Sequence, residues 1–402
     1  MASKNGGFIG TDGLDAPDAP TIDSVSAGGA SISVSFTAPT DTGTSAITGY
    51  VAQASTDGTA YSAGSGTGTS SPITISSLTN GTAYTAKVWA INAYGTSSPS
   101  DASSSATPIA PRALIPLGQN ILGQDTAAVE TVVIDTTGNS TSFGDLSSIR
   151  AGMNNSAGST TRGLFAGGNR AGAGGGKRDI IDFMTFASAG NATDFGNLLA
   201  SVSSPTSLSN QTRFITGGGN VSGNQNVIQY VTIASEGNAT DFGDLTEAKS
   251  EMGATASPTR GLFFAQGSGG SDDIEYVTIA STGNATDFGD MTVSVEAPMG
   301  VSSNTRGLHC GGNSASNVIG YVTIASTGDA ADFGDLTVGR NLGGGTSSQV
   351  RGFCANGSDA SGLSNVMDYF TIATLGNATD FGDTGTATQK ATATSSAHGG
   401  LS

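Results

Sequence analysis

Apolar residues in this chain come in short runs, each bounded by Gly, Ser, Thr, Asn or Asp. That pattern predicts short strands joined by tight turns. Between residues 20 and 108 the alternation is regular. In ASISVSFTAP (30–39) Ile32, Val34 and Phe36 share one face, and in the stretch 78–100 Tyr84, Ala86, Val88 and Ala90 do the same. ITGYVAQAS (47–55) and SPITISSL (71–78) are further strand candidates. Beyond residue 110 both faces become apolar. In VIQYVTIAS (227–235) Ile228 and Tyr230 fall on one side and Val231 and Ile233 on the other, the mark of a sheet covered on both sides.

The second pattern repeats. YVTIASEGNATDFGDLT at 230–246 returns as YVTIASTGNATDFGDMT at 276–292, YVTIASTGDAADFGDLT at 321–337 and YFTIATLGNATDFGDTG at 369–385. The Phe of its FGD or FGN element falls at Phe143, Phe195, Phe242, Phe288, Phe333 and Phe381, 45 to 52 residues apart. An Arg before a short apolar run recurs at Arg112, Arg162, Arg213, Arg260, Arg306 and Arg351, so there are six units. Each offers four strands: a stretch before the Arg, as in SEMGATASPT (250–259), one after it, the YVTIAS segment, and one around TDFGDL. Four short strands per unit, apolar on both faces, predict the blades of a six-bladed β-propeller spanning 109–402. The first unit opens at Arg112 without the stretch that precedes the other arginines. QKATATSSAHGGLS (389–402) is like that missing stretch, and is expected to complete the first blade and close the ring, leaving no open edge.

Residues 20–108 resemble a fibronectin type III domain. Leu78, Asn80, Gly81, Thr82 and Tyr84 match that family's turn and tyrosine corner, with Asn92 and Gly95 beyond them; Phe36 stands where the family usually has a core tryptophan. The resemblance implies a β-sandwich used as a spacer or docking module. Trp89, the only tryptophan, has the parity opposite to Tyr84 and should face away from the sandwich core. It is either covered by neighbours such as Lys87 or an interface anchor. In the second region the double glycines after the Arg strands resemble Kelch propellers, although the usual Kelch Trp and spaced Tyr are missing. The TIASTGNATDFGDLT words more closely resemble repeats in structural proteins of marine bacteriophages. This implies a virion component at the tail, as in tail fibres, or on the capsid surface.

Charge narrows the function classes. Lys and Arg number 15 against 32 Asp and Glu, a formal net charge of −17. A basic patch for nucleic acid or an anionic membrane is therefore not expected. No run of about 18 apolar residues predicts a transmembrane helix. MASKNGGFIGTDGLDAP lacks the apolar core of a secretory signal, yet the body looks extracellular. A virion protein, made in the host cytoplasm and exposed on the particle, reconciles the two. Cys310 lies four residues after Arg306 and Cys354 three after Arg351, so their side chains should take opposite faces. Both are expected to be unpaired and buried. His309 and His398 are the only histidines and fall in different units; no phosphate loop, zinc cluster or nucleophile elbow is present. Neither catalysis nor a cofactor is expected.

The repeated residues are the first candidates for a role. Arg162, Arg213, Arg260, Arg306 and Arg351, with Asp244, Asp290, Asp335 and Asp383, recur once per unit and suggest an inter-blade ion-pair ladder. The acids of GNATDFGD (Asp241 with Asp244, Asp287 with Asp290, Asp332 with Asp335, Asp380 with Asp383) also have the oxygen chemistry of a calcium loop. The units of Phe143 and Phe195 do not keep both acids, which favours a structural role. Asn191, Asn238, Asn284 and Asn377 open Asn-Ala-Thr triplets and are expected as turn formers rather than glycan acceptors.

What differs between copies is the turn after the Arg strand, at 118–129, 167–179, 217–226 and 356–365, all on one face of the ring. The longest, 167–179, carries Arg170, Lys177 and Arg178 and is the candidate binding loop. The Gly-rich arm 1–19 is a candidate for docking on a neighbouring virion protein, with Phe8 and Ile9 as its anchors. The expected function is a non-enzymatic phage structural protein, homo-oligomeric in the particle, displaying its propeller to host glycan or protein. The alternatives are a decoration protein of capsid or tail without a receptor, and a bacterial surface adhesin.

Overall fold

A computed structural model describes residues 14–171, 175–264, 271–312 and 315–401. Among them regular structure is almost entirely β, with no α-helix. The chain divides into two compact units between Ala110 and Pro111.

The N-terminal unit is a sandwich. One sheet pairs Thr21–Gly28, Ser31–Thr37 and Ile73–Ile75; the other pairs Gly64–Gly68, Ile47–Ser55, Thr85–Asn92 and Gly95–Thr96. The predicted alternation is what buries the core. Ile32, Val34 and Phe36 from one sheet meet Tyr50, Ala86, Val88 and Ala90 from the other, and Phe36 packs on Tyr50 with ring centroids 4.7 Å apart. Beyond Gly95–Thr96 the chain continues beside Thr85–Asn92 without forming a further strand. There Ser97, Ser100 and Ser103 turn their Oγ atoms inward to accept from the N–H groups of Ala90, Val88 and Ala86. The arm expected to run to residue 19 is shorter: the Asp15 carbonyl accepts from Asn92 Nδ2 and from the Thr44 N–H, which ties that segment into the sandwich. Phe8 and Ile9 lie outside the described residues.

The second unit consists of six antiparallel sheets with one plan. In the third, Thr206–Ser209, Arg213–Gly217, Gln225–Thr232 and Thr240–Lys249 pair in sequence order. The first sheet differs in the expected way. Its inner strand, Thr394–Ser395, comes from the far end of the chain and pairs antiparallel with Arg112–Pro116, Thr394 opposite Leu114. The inner strands Ala157–Gly158, Thr206–Ser209, Gly253–Ala256, Met299–Ser302 and Gly344–Ser347 each lie beside the next, and Thr394–Ser395 lies beside both Gly344–Ser347 and Ala157–Gly158. Both faces of each sheet are buried, as read from the sequence. Ile228 packs toward the following sheet with Phe263 and Val277, while Val231 and Ile233 pack toward the preceding one with Leu164 and Ile181.

The repeated words are the joints between these sheets. Phe242 O accepts from Gly283 N–H (2.7 Å), Asp244 O from Ala285 N–H (2.8 Å), and Asp244 N–H donates to Asn284 Oδ1 (3.1 Å). The same three bonds link Phe143–Asp145 to 190–192, Phe195–Asn197 to 237–239, Phe288–Asp290 to 328–330 and Phe333–Asp335 to 376–378. A further set runs from Phe381–Asp383 back to Gly138–Ser140. The glycine of FGD is needed for the approach. At Gly243, with φ of 152°, a Cβ would stand 2.3 Å from the Gly283 carbonyl oxygen. The side chain at work is thus the Asn that follows the glycine, Asp329 in one joint, which acts across the joint instead of within its own turn.

Candidate functional site

The predicted Arg–Asp ladder is not formed. Arg162, Arg213, Arg260, Arg306 and Arg351 donate through Nη1 to the carbonyls of Ile233, Ile279, Ile324, Ile372 and Ile134 on the following sheet, at 2.8–3.1 Å. Each guanidinium also lies over an aromatic ring of its own sheet, such as Arg260 over Tyr276 at 4.4 Å. Arg is suited to this because its planar fork stacks on a ring while its edge donates. Among the described residues Asp244, Asp290, Asp335 and Asp383 form no ion pair; their backbone atoms hold the joints. Backbone acceptors are invisible to a search for charge partners, and this misdirected the assignment.

The true ion pairs lie deeper and were missed. Arg150 pairs with Asp182 at 2.8 Å and Arg340 with Asp368 at 2.7 Å, all four side chains fully buried, while Lys249 holds Glu275 and Asp273. Each cation stands seven residues after the Phe of its unit and meets an acid on the third strand of the next sheet. That acid has a second task. Asp182 accepts from Ser147 N–H, Glu275 from Thr246 N–H, and in other sheets Gln229 from Leu199 N–H and Glu130 from Gly385 N–H. Asp, Glu and Gln all serve, so no repeated word marks the position.

The axis between the inner strands is closed. Asn155 reaches across it, donating to the carbonyls of Ala254 (2.9 Å) and Gly300 (3.4 Å), and leaves a cavity of about 20 Å³. That is room for a water molecule and not for a substrate. The segment 396–401 covers one end. His398 Nε2 donates to Gly158 O (3.0 Å) and Nδ1 accepts from Gly400 N–H (3.2 Å), which defines a neutral tautomer; burial lowers its pKa to about 4. Gly400 has no room for a side chain, its Cβ position being 1.9 Å from Ser209 O. His309 is buried beside Phe264 with neither ring nitrogen hydrogen-bonded, and burial lowers its pKa to about 4 as well. Ser209 Oγ lies 3.2 Å from His398 Nε2, but it is fully buried and donates to the Gly158 carbonyl at 2.6 Å, so both groups converge on the same backbone acceptor.

Cys310 and Cys354 do point to opposite faces of their own sheets. Because those sheets are neighbours, the two meet in one buried cluster with Phe333 and Phe370. Burial, then the hydrogen bond to Cys354, pushes the Cys310 thiol pKa up, the reverse of a reactive cysteine. A three-carboxylate group does exist, at Asp272, Asp273 and Asp290, with ligand oxygens within 4.8 Å of one another. Of these only Asp290 belongs to the repeated acid pairs considered for calcium. Partial desolvation and the neighbouring carboxylates, Asp272 first among them, raise its pKa. The Lys249 ammonium already serves Asp273, and nothing further marks the cluster as a cation site.

The divergent loops form the remaining candidate. Those of the first three sheets touch in turn: Ala171 N–H donates to Asp125, and Lys177 donates to Asn220 and the Val221 carbonyl. Gln119 pairs with Gln389, bringing Lys390 alongside. Of the predicted binding residues Arg170 is exposed, Lys177 is engaged by the next loop, and Arg178 is half-buried on its strand. The sequence reading passed over Ile121 and Leu122, which stand 82% and 76% exposed at the tip of the 118–129 hairpin. Asn120 Oδ1 accepts from the N–H groups of Leu122 and Gln124, so the tip is held firmly.

In the sandwich, Tyr84 is buried and its Oη accepts from Thr79 N–H at 3.1 Å, closing the corner that Leu78–Tyr84 predicted. Asn80 Oδ1 accepts from Ala30 N–H, and Asn92 Oδ1 from the N–H groups of Tyr94 and Gly95. Residues 15–106 match the Fibronectin type III domain family. They form a fibronectin type III domain. Within it Trp89 is half-buried, paired across the strands with Val51 and turned away from the core, while Lys87 lies over Tyr61 at 5.0 Å. No curated protein matches the chain.

Proposed function

We propose that this chain is a non-enzymatic structural protein of a virus particle, in which the fibronectin type III domain is followed by a closed six-bladed β-propeller. The propeller reading rests on the joints. The same three hydrogen bonds recur between successive sheets, and one set runs from Phe381–Asp383 back to Gly138–Ser140. The inner-strand neighbours likewise return to their starting point through Thr394–Ser395. Five of the repeated arginines serve this architecture, as do the repeated Asn and FGD glycines, which leaves the loops as the variable part.

The virion reading rests on the likeness of the repeated words to those of marine bacteriophage structural proteins. A net charge of −17, a water-sized axis and two fully buried, neutral histidines all suit a component that neither binds nucleic acid nor turns over substrate. The fibronectin type III domain and the N-terminal arm attach the protein to the particle at tail or capsid, and the propeller is the displayed body. Its loop face fits protein better than glycan. Sugars are gripped by aromatic rings stacked on their apolar faces, and the large apolar side chains exposed there among the described residues are aliphatic, led by Ile121 and Leu122.

Attachment to a host glycan is the second reading, favoured by Arg170, Lys177 and Arg178. Cryo-electron microscopy of intact particles tests both. Density for the propeller with its 167–179 loop facing solvent at the tail tip supports attachment. Packing of that face between subunits supports assembly, and a particle without the chain overturns the virion reading.

A further inference from the structure

Basic residues are distributed unevenly over the second unit. Arg112, Arg162, Arg213, Arg260, Arg306 and Arg351 lie over rings at the joints, and Arg150, Lys249 and Arg340 are buried in ion pairs. Every other lysine and arginine of Pro111–Ser402 is at one place: Arg170, Lys177, Arg178 and Lys390. The Asp125–Ala171 and Gln119–Gln389 contacts gather these residues around the 118–129 hairpin, whose tip exposes Ile121 and Leu122. Asp125 and Asp179 offset part of the charge, and Asp125 is held by Gln119 and Ala171. An exposed aliphatic tip beside cations that have no carboxylate partner, with Lys177 bonded to neutral oxygens of the next loop, has the form of a docking surface with an acidic counterpart in a protein carrying −17.

We infer that the counterpart is a second copy of this chain, presenting its outer strands. Those strands expose Asp194, Asp241, Asp287, Asp332 and Asp380, one from each of five successive sheets. The two surfaces differ, so the contact is head-to-tail and leaves a free donor and a free acceptor at its ends. Such contacts build rings or extended arrays, which is the behaviour wanted of a structural lattice. This deepens the structural reading above and rests on it for biological meaning, but the contact itself is a property of the purified chain.

Sedimentation velocity of the full-length protein over a concentration series, at low and at high ionic strength, tests it. Self-association that weakens with added salt is expected, because interactions between exposed charges are screened within about 10 Å at 0.1 M salt. The double variant Ile121→Ser with Leu122→Ser should weaken association at least about tenfold, a change of roughly 1.4 kcal/mol. The variant Arg170→Glu with Lys390→Glu should weaken it further at low salt and little at high salt. Ile121, Leu122 and Arg170 are exposed and Lys390 is half-buried, so an unchanged melting temperature is required of each variant to show that the fold is intact. A wild-type chain that stays monomeric at low salt overturns the inference, as does association indifferent to the Ile121/Leu122 change. Monomers in solution from a protein found in particles sink only this contact; a chain that self-associates but is absent from every particle sinks only the virion reading.

Discussion

The joint between the third and fourth sheets offers a sharp test, because one repeat word holds two glycines with opposite demands. Gly243 has φ of 152° and its Cβ position is 2.3 Å from Gly283 O and 2.5 Å from Gly283 C. Gly237, six residues earlier, has nothing within 4 Å of its Cβ position. Gly243→Ala must therefore push the joint apart, which breaks the Phe242–Gly283 and Asp244–Ala285 hydrogen bonds and the one to Asn284. At about 1 kcal/mol each, those bonds account for ~3 kcal/mol. The positive φ adds at least another ~1 kcal/mol for a residue with a Cβ. A loss of about 4 kcal/mol lowers the melting temperature of a domain this large by about 8 °C. Thermal unfolding followed by far-ultraviolet circular dichroism reads this directly, while Trp89, the sole tryptophan, reports the fibronectin type III domain through its fluorescence. Gly237→Ala should melt within a degree or two of wild type. If Gly243→Ala melts like Gly237→Ala, the close approach at the joints is wrong, and with it the reason for the FGD repeat.

Asp182→Asn leaves the Arg150 guanidinium buried without its counter-charge and should destabilise the second unit by about 3–5 kcal/mol in guanidinium unfolding, whereas Asp241→Asn, on the exposed outer strand, should cost almost nothing. His309 and His398 have folded pKa values of about 4, below the ordinary 6.5, so the fold favours their neutral forms. Their contribution is complete above pH ~6.5 and is lost as pH falls toward 4, up to about 3 kcal/mol each. A melting temperature flat from pH 7 to 4 would contradict both burials, and His398→Gln should flatten part of the slope. The buried thiols of Cys310 and Cys354 should resist Ellman's reagent in the native protein and both react once guanidinium unfolds it. Gly400→Ala should loosen the segment 396–401 and make the last residues a site of early proteolysis, with the rest of the second unit still resistant.

Much of the architecture could be read from the chain because it depends on spacing. The Arg and Phe periods marked the sheets, two-sided apolar patterning marked burial on both faces, and the likeness of residues 389–402 to the pre-Arg stretch pointed to its pairing with Arg112–Pro116. Tyr84 and its turn were equally legible, since a tyrosine corner needs particular side chains at particular offsets. What escaped was chemistry in which one partner is backbone or the side chain varies. Arginine repeated alongside aspartate suggests ion pairs, yet the acceptors are the carbonyls of Ile134, Ile233, Ile279, Ile324 and Ile372. Asp182, Gln229, Glu275 and Glu130 all accept a backbone N–H from the preceding unit, but three residue types spread over one role hide it. Ile121 and Leu122 escaped for another reason. Two aliphatic residues in a polar loop read as strand or tip alike until Asn120 is seen capping the turn.

Ring closure is the claim on which the rest depends, and a crystal structure of the full chain tests it most directly. The account predicts six sheets in a cycle, Thr394 opposite Leu114 in the first, and the Asp383 N–H bonded to Asn139 Oδ1 at the last joint. A first sheet that lacks Thr394–Ser395, or an open run of sheets with Phe381–Asp383 away from Gly138–Ser140, would contradict it.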